Sequence, residues 1–382
     1  MTGTVLNCGY VPLIDCAPLI IASELGFADE EGLDLNLIRQ PSWSALRDML
    51  ALGHLDAAHM LSPLPIAMSL GMGGLSAKID SLMVLSANGT VFGVSKKLSE
   101  ALGPLPFGQP STLLERFKEI GNETLRIGVP FPFSMHHLLL RYWAASQPGL
   151  NIEAVTVPPS RMADAIFTGH VDAFWVGEPW GSGIVQAGAG SILMAGSDVW
   201  EFAPEKVLAA RHDWVEENPD ITRRLMRAVF QAGRWLDVDR NKPLATEILS
   251  RSEHLNLSSD LIDPAISGHL VPALGAPPIA IERFLVFHSY AASFPWRSQA
   301  ALIAQQFGAD AEAIEEAKQC FRTDLYRENL GPLGADLPGA SEKLEGSMRV
   351  ETAVSSTRGD MILAPDAFFD SRSHDFSAKG AN

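Results

Sequence analysis

Two stretches decide the fold. The first is Ser44-Ala-Leu-Arg-Asp48-Met-Leu-Ala-Leu-Gly53-His54-Leu55-Asp56-Ala57. The second is Ser160-Arg-Met-Ala-Asp164-Ala-Ile-Phe-Thr-Gly169-His170-Val171-Asp172-Ala173. They align without a gap and share Ser, Asp, Gly, His, Asp and Ala at equal spacing. The apolar residues between them fall at helical intervals, Leu46, Met49 and Leu50 in one, Met162, Ala165 and Ile166 in the other. Ser44 and Ser160 are the expected N-caps. Gly53 and Gly169 are expected to end each helix in the left-handed conformation. A buried strand should follow each turn.

Working outward, Val5–Gly9 opens the first half as a strand and Leu125–Val129 opens the second. Helices are expected near Asp15–Leu25 and Met135–Ala145, and strands at Leu33–Ile38 and Ile152–Val157. Each half therefore reads strand, helix, strand, helix, strand, which means parallel sheets flanked by helices. Past residue 214 the chain turns helical, with Asn218-Pro219-Asp220 opening a long helix and further helices expected near Ile281–Ser293 and Gln299–Phe307. The tail from Asn329 is weakly periodic. Met361–Leu363 and Phe368-Phe369 should dock it on the body.

The fold class expected is α/β with two parallel or mixed-sheet lobes, a cleft between them and a helical C-terminal part. One lobe takes residues 1–90 and 207–382; the other, inserted between, takes 91–206.

Composition narrows the function. The chain has 382 residues, 47% of them apolar, enough for two cores. Its net charge of −16 makes it a poor candidate for gripping a phosphate backbone directly. Cys8, Cys16 and Cys320 are too few and too odd in number for a disulfide framework, so buried thiols are expected. No apolar run approaches the roughly 18 residues that cross a membrane. The N-terminus shows no basic and apolar leader, and no lysine or arginine occurs before Arg39, so a cytoplasmic location is the expectation.

In open parallel sheets the ligand sits beyond the carboxyl ends of the strands. The loops there are Tyr10–Pro12, Gln40–Ser44, Ser62-Pro63, Pro130–His137, Pro158–Ser160 and Gly177–Trp180. They are nearly free of charge, which suits a small ligand held by backbone N–H groups and a ring face. A phosphate loop, a G-x-S-x-G elbow and the H-x-x-x-H or C-x-x-C spacing of zinc sites are all lacking, so neither a metal nor a cofactor is expected. His54 and His170 share one turn in both halves and read as structural. Glu178 reads as a loop or hinge carboxylate without an acid–base partner.

At these loops the chain resembles the nitrate- and bicarbonate-binding proteins of ABC importers, which have the type II periplasmic-binding fold. The resemblance rests on Gln40–Asp48, Ala58–Pro65, His136 with Leu140–Trp143, Val157–Pro159, Asp172–Trp180, Pro204–Leu208 and Asp213–Pro219. It implies that Trp43, His136, Gly177 and Lys206 hold the anion. Thr90 stands where nitrate binders of the family carry glutamine; its hydroxyl is shorter and donates one hydrogen bond. The resemblance and the bare N-terminus together imply a cytoplasmic nitrate or nitrite sensor. Such a sensor sequesters an RNA-binding antiterminator of the response-regulator type until the anion binds. The alternative is the solute-binding component of an importer for nitrate, nitrite or bicarbonate, whose partner is the ABC permease. An enzyme on the same fold is a third reading, without a nucleophile–base pair to support it.

Overall fold

A computed structural model describes residues 3–74, 77–121 and 124–377. Two mixed sheets carry the molecule. In the first, β1 (Thr4–Tyr10) runs parallel to both β2 (Leu33–Arg39) and β3 (Ala57–Leu61). In the second, β6 (Leu125–Val129) runs parallel to both β7 (Ile152–Thr156) and β8 (Ala173–Gly177). The alternation of strand and helix in each half dictates this parallel part.

The antiparallel part comes from an exchange. After β4 (Ile79–Asn88) the chain leaves the first sheet, and β5 (Thr90–Ser95) enters the second beside β8. After β9 (Gly190–Ala195) it returns, and β10 (Pro204–Arg211) lies between β3 and β4. The sheets thus share a five-strand order, β2-β1-β3-β10-β4 and β7-β6-β8-β5-β9, and a short sixth strand, Leu285–Val286, extends the first beyond β4. The fourth strand of each is supplied by chain arriving from the other. By sheet membership Thr90 stands with the second sheet and Lys206 with the first. The boundaries expected at 90/91 and 206/207 differ there.

The repeat has a structural cause. Asp56 and Asp172 each hold the entry to a central strand. The Asp56 carboxylate accepts from the Asn7 N–H on β1 at 2.8 Å, and that of Asp172 from the Arg126 N–H on β6 at 3.1 Å. The His54 and His170 N–H groups each donate back into the preceding helix at 2.9 Å, while both residues are exposed. Gly53 and Gly169 take φ of 78° and 68°, the left-handed turn that glycine adopts without strain. The expected N-caps are not observed. Ser42 caps the helix Trp43–Ala51 by accepting from the Ala45 N–H, and Ser44 is bonded to Ser42. Ser160 lies inside a short 3-10 turn, Pro159–Arg161, because the two prolines before it set up that turn first.

Beyond β10 the helix Pro219–Leu236 forms as expected, with Leu225, Val229 and Phe230 buried. The helix expected near Ile281–Ser293 does not form. Leu285–Val286 instead pairs with the end of β4, and a 3-10 turn covers Ser289–Ala291. The edge of β4 offers that segment backbone partners that outweigh its helical spacing. The helix Arg297–Gln306 matches expectation. All three cysteines are free and buried.

The tail straps the two parts together. A hairpin, Thr352–Ser356 with Gly359–Leu363, buries Met361 and Leu363 but leaves Ile362 exposed. Phe368 stacks on Trp200 at 5.0 Å and lies against Tyr142 at 4.9 Å. The Phe369 N–H donates to the Val199 carbonyl, and the Glu201 N–H to that of Ala367. The strap therefore grips Val199–Glu201, the chain's return crossing, and a helix of the second part. Asn88 ties the two crossings to each other. Its N–H and side-chain oxygen pair with the Ala203 backbone, and its amide nitrogen donates to the Glu201 and Arg283 carbonyls. Asn88 adopts φ 63°, which asparagine tolerates.

Candidate functional site

The two parts meet where the strands end. The Ile14 N–H donates to the Glu178 carbonyl at 3.1 Å, and Trp180 Nε1 donates to the Pro12 carbonyl at 3.2 Å. Gly177, last residue of β8, fits here because it has no side chain. A Cβ on it would stand 2.7 Å from Leu13 Cδ2, 3.6 Å from His136 Nε2 and 3.8 Å from Asp15 Oδ2.

Trp43, His136 and Lys206 gather in the same place, all essentially out of water. Trp43 opens the helix after β2, His136 the helix Met135–Ala145 after β6, and Lys206 stands near the start of β10. Lys206 Nζ lies 5.4 Å from the Trp43 ring centroid, within range of a cation–π attraction. Trp43 Nε1 and both ring nitrogens of His136 have no hydrogen-bond partner in the protein. Buried polar nitrogens without partners are costly, so these three mark a place where a ligand would be satisfied.

Three further residues complete the site. Asp15 Oδ2 and Glu205 Oε1 each lie 2.6 Å from Lys206 Nζ. His59 Nε2 lies 2.8 Å from Asp15 Oδ1, and His136 Nδ1 lies 3.3 Å from Glu205 Oε1. The His59 ring centroid is 5.6 Å from that of Trp43. None of the three follows from the loop reading, because His59 and Glu205 are inside strands. The signal was present even so. A histidine within Ala57–Leu61, or Glu205-Lys206 within β10, is a polar group in a run that is buried throughout, and such groups need partners.

The electrostatics of the cluster follow from burial and neighbours. Burial pushes the Asp15 carboxyl up, but Lys206 and His59 outweigh it and hold Asp15 well below the usual carboxylate range. Glu205 goes the other way. Burial pushes it up to about 7, against the pull of Lys206. Burial also works against the charged Lys206, yet Asp15 and Glu205 keep its pKa above the ordinary lysine value. Burial holds both imidazoles below their ordinary value, His136 strongly, with Lys206 adding to the effect. The site is one fixed ammonium, one fixed carboxylate, one carboxyl near its titration point and two neutral imidazoles.

Thr90 takes a different position. Its Oγ1 accepts from Trp175 Nε1 at 3.1 Å and faces Gly196. Thr90 pairs with Gly177 in the second sheet, as Lys206 pairs with Leu61 in the first. Gly177 and Leu61 are matching positions of the repeat, so Thr90 and Lys206 are counterparts. His59 and Trp175 are counterparts in the same way.

Glu178 is fully buried near its titration point. Burial raises it to about 7, and one oxygen accepts from the Ser182 N–H while the other is unpartnered. Elsewhere, Asp80, His212 and Glu216 have metal-ligand spacing. Arg322 Nη1 lies between two of them, 2.6 Å from Asp80 and 3.0 Å from Glu216, and makes the group an ion-pair network. No described helix is long and apolar enough to cross a membrane.

Comparison with known proteins places the chain in a family. The NMT1-like family profile matches residues 3–250. The nitrate/nitrite binding protein NrtA of Synechococcus elongatus is 30% identical over 358 residues, covering 88% of this chain and 80% of that protein. The nitrate import ATP-binding protein NrtC of Synechocystis sp. PCC 6803 is 32% identical over 346 residues. That match takes in 87% of this chain, which spans about half (51%) of the relative's length. Among solved structures, the periplasmic nitrate-binding protein NrtA from Synechocystis PCC 6803 superposes with a TM-score of 0.84. It is 26% identical, covering 98% of this chain and 96% of that one. The alkanesulfonate-binding protein SsuA from Xanthomonas axonopodis, at 17% identity and a TM-score of 0.55, shares the fold.

Proposed function

The chain belongs to the NMT1-like family, within the nitrate- and bicarbonate-binding group of ABC-type solute-binding proteins, and on that premise we propose that its cleft binds nitrate or nitrite. It is a binding protein rather than an enzyme. One observation carries the ligand: Trp43 and His136 present unpartnered, fully buried ring nitrogens beside the Lys206 ammonium. The indole face and the ammonium suit a small planar anion, and Gly177 lets the backbone of β8 come close.

In this reading the protein serves as the solute-binding component of an importer, the role that the names of its relatives favour. Closure of the two parts over the anion presents a changed surface to a permease. A ligand shifts such an equilibrium only by its differential affinity for the two forms, and the interlobe contacts of Gly177, Glu178 and Trp180 supply that difference. The second reading is a cytoplasmic sensor that releases an antiterminator when the anion binds. The net charge of −16 favours it, since an acidic surface suits a basic RNA-binding partner.

Isothermal titration of the purified chain with nitrate, nitrite and bicarbonate tests the ligand. Binding of none of them at micromolar to millimolar concentration would overturn the proposal. Capture of partners from native extract with and without nitrate separates the two roles. An importer component retains a permease, whereas a sensor loses an RNA-binding protein on nitrate addition.

A further inference from the structure

The ligand cluster holds two carboxylates against one ammonium. Among the described residues Lys206 is the only lysine or arginine paired with Asp15 or Glu205. The side chains of Asp15, His59, His136, Glu205 and Lys206 are all between 0 and 3% exposed. They come from the turn after β1, from β3, from β10 and from the helix Met135–Ala145; the other ionisable group beside them is the Cys16 thiol, which burial and Asp15 keep protonated. With both carboxylates charged and both imidazoles neutral, the cluster carries one net negative charge, from one cation and two anions. An incoming oxyanion would then be buried beside a negative cluster, which Coulomb repulsion in a water-poor site opposes.

We propose that the pocket takes up one proton from solvent with each oxyanion it binds, and that the Glu205 carboxylate receives it. This rests on the reading of the cleft as an oxyanion site. Geometry selects Glu205 over Asp15. Asp15 is held by two partners, Lys206 and His59, at 2.6 and 2.8 Å. Glu205 meets both the Lys206 ammonium, at 2.6 Å, and His136 Nδ1, at 3.3 Å, through the single oxygen Oε1. The step is Glu205 COO⁻ plus H⁺ giving COOH; the anion itself is unchanged.

The proton has a second effect. A protonated Glu205 donates to His136 Nδ1, which fixes the imidazole as the tautomer with its hydrogen on Nε2. Nε2 is the nitrogen nearest Gly177, so the anion gains an N–H donor in place of a lone pair. Neutralising the carboxyl and orienting the donor are one event. The elevation of Glu205 to about 7 agrees with a group that is charged above neutrality in the absence of anion.

The test is titration of the full chain with nitrate in phosphate and in Tris, whose ionisation heats differ. At a pH of about 8.5 the binding heats should differ by the amount for about one proton taken up per nitrate. At about pH 5.5 the difference should vanish, because Glu205 is already protonated. Affinity should fall up to about tenfold per pH unit above about 7, the slope for one coupled proton. Glu205→Gln should bind nitrate with no buffer-dependent heat and a flat pH profile. Nitrate binding at high pH without proton uptake overturns the inference, as does uptake that persists in Glu205→Gln. If that variant does not fold, the buffer dependence and pH profile of the natural sequence decide alone. Failure to bind nitrate at any pH is a distinct result, which overturns the oxyanion reading and this inference with it.

Discussion

The ammonium of Lys206 lies 2.6 Å from Asp15 Oδ2, and both side chains are shut away from water. Removing one member of such a pair strands the other. Lys206→Met should therefore destabilise the fold by about 3–5 kcal/mol in urea unfolding and weaken nitrate binding at least tenfold, roughly 1.4 kcal/mol. Adding Asp15→Asn to it should restore much of the stability without restoring the affinity. Equal recovery of both would show that Lys206 supports the fold alone.

Trp43 offers the site a flat face and an N–H. Trp43→Phe keeps an aromatic wall and removes the donor, while Trp43→Ala removes both. Calorimetric affinities for nitrate should fall in two steps, about tenfold for the first and further for the second, roughly 1.4 kcal/mol at the first step. An unchanged affinity in Trp43→Phe would assign the donor role elsewhere.

Gly177→Ala should act on closure. The added Cβ would stand 2.7 Å from Leu13 Cδ2, closer than packed carbon atoms allow. The variant should fold, bind nitrate weakly and scatter X-rays at small angles as a more open particle in saturating nitrate. Leu13→Ala in the same chain makes room for the methyl group and should recover part of the affinity.

Glu178 gives the ligand-free fold a pH dependence. Its pKa is raised to about 7 in the folded chain, from an ordinary value of 4.5. The folded state thus binds the proton more tightly, and this contribution is complete below about pH 4.5 and lost as pH rises through 7. The change is on the order of 3 kcal/mol. The melting temperature should fall between pH 5 and about 8, and Glu178→Gln should lessen that fall, leaving the part due to Glu205, which burial raises in the same way. A slope unaffected by the variant would place the titrating group elsewhere.

Phe368→Ala should loosen the strap. It removes the ring packed between Trp200 and Tyr142, a loss of about 3 kcal/mol for a buried phenylalanine. Hydrogen exchange should rise at Val199–Glu201 more than in β1 or β6. A uniform rise across the chain would show that the strap serves the cores rather than the joint.

Much of this architecture is legible in the sequence because its punctuation is chemical. Gly53 and Gly169 must end their helices, and Asp56 and Asp172 must follow, since each carboxylate anchors a neighbouring strand. The exchange of β5 and β10 is not legible in that way. It depends on contacts between segments more than 100 residues apart, such as Ala203 with Asn88. Leu285–Val286 misleads for the same reason, its helical spacing yielding to the open edge of β4. In the site, Trp43, His136 and Gly177 are pointed to by their loops and by family resemblance, and Lys206 by the resemblance alone. Asp15, His59 and Glu205 were hidden by apolar surroundings, although those surroundings are what give them their electrostatic weight.

The strap has one more consequence, in the order of synthesis. The first sheet cannot be completed until β10 has emerged, long after β1 to β3 were made. Residues 364–377, which clasp the return crossing, leave the ribosome later still. The clasp can therefore close only after β10 has joined the first sheet. A chain lacking this segment would lose Phe368 from its core and leave the return crossing unclasped, so the segment's loss would cost stability and ligand capture together.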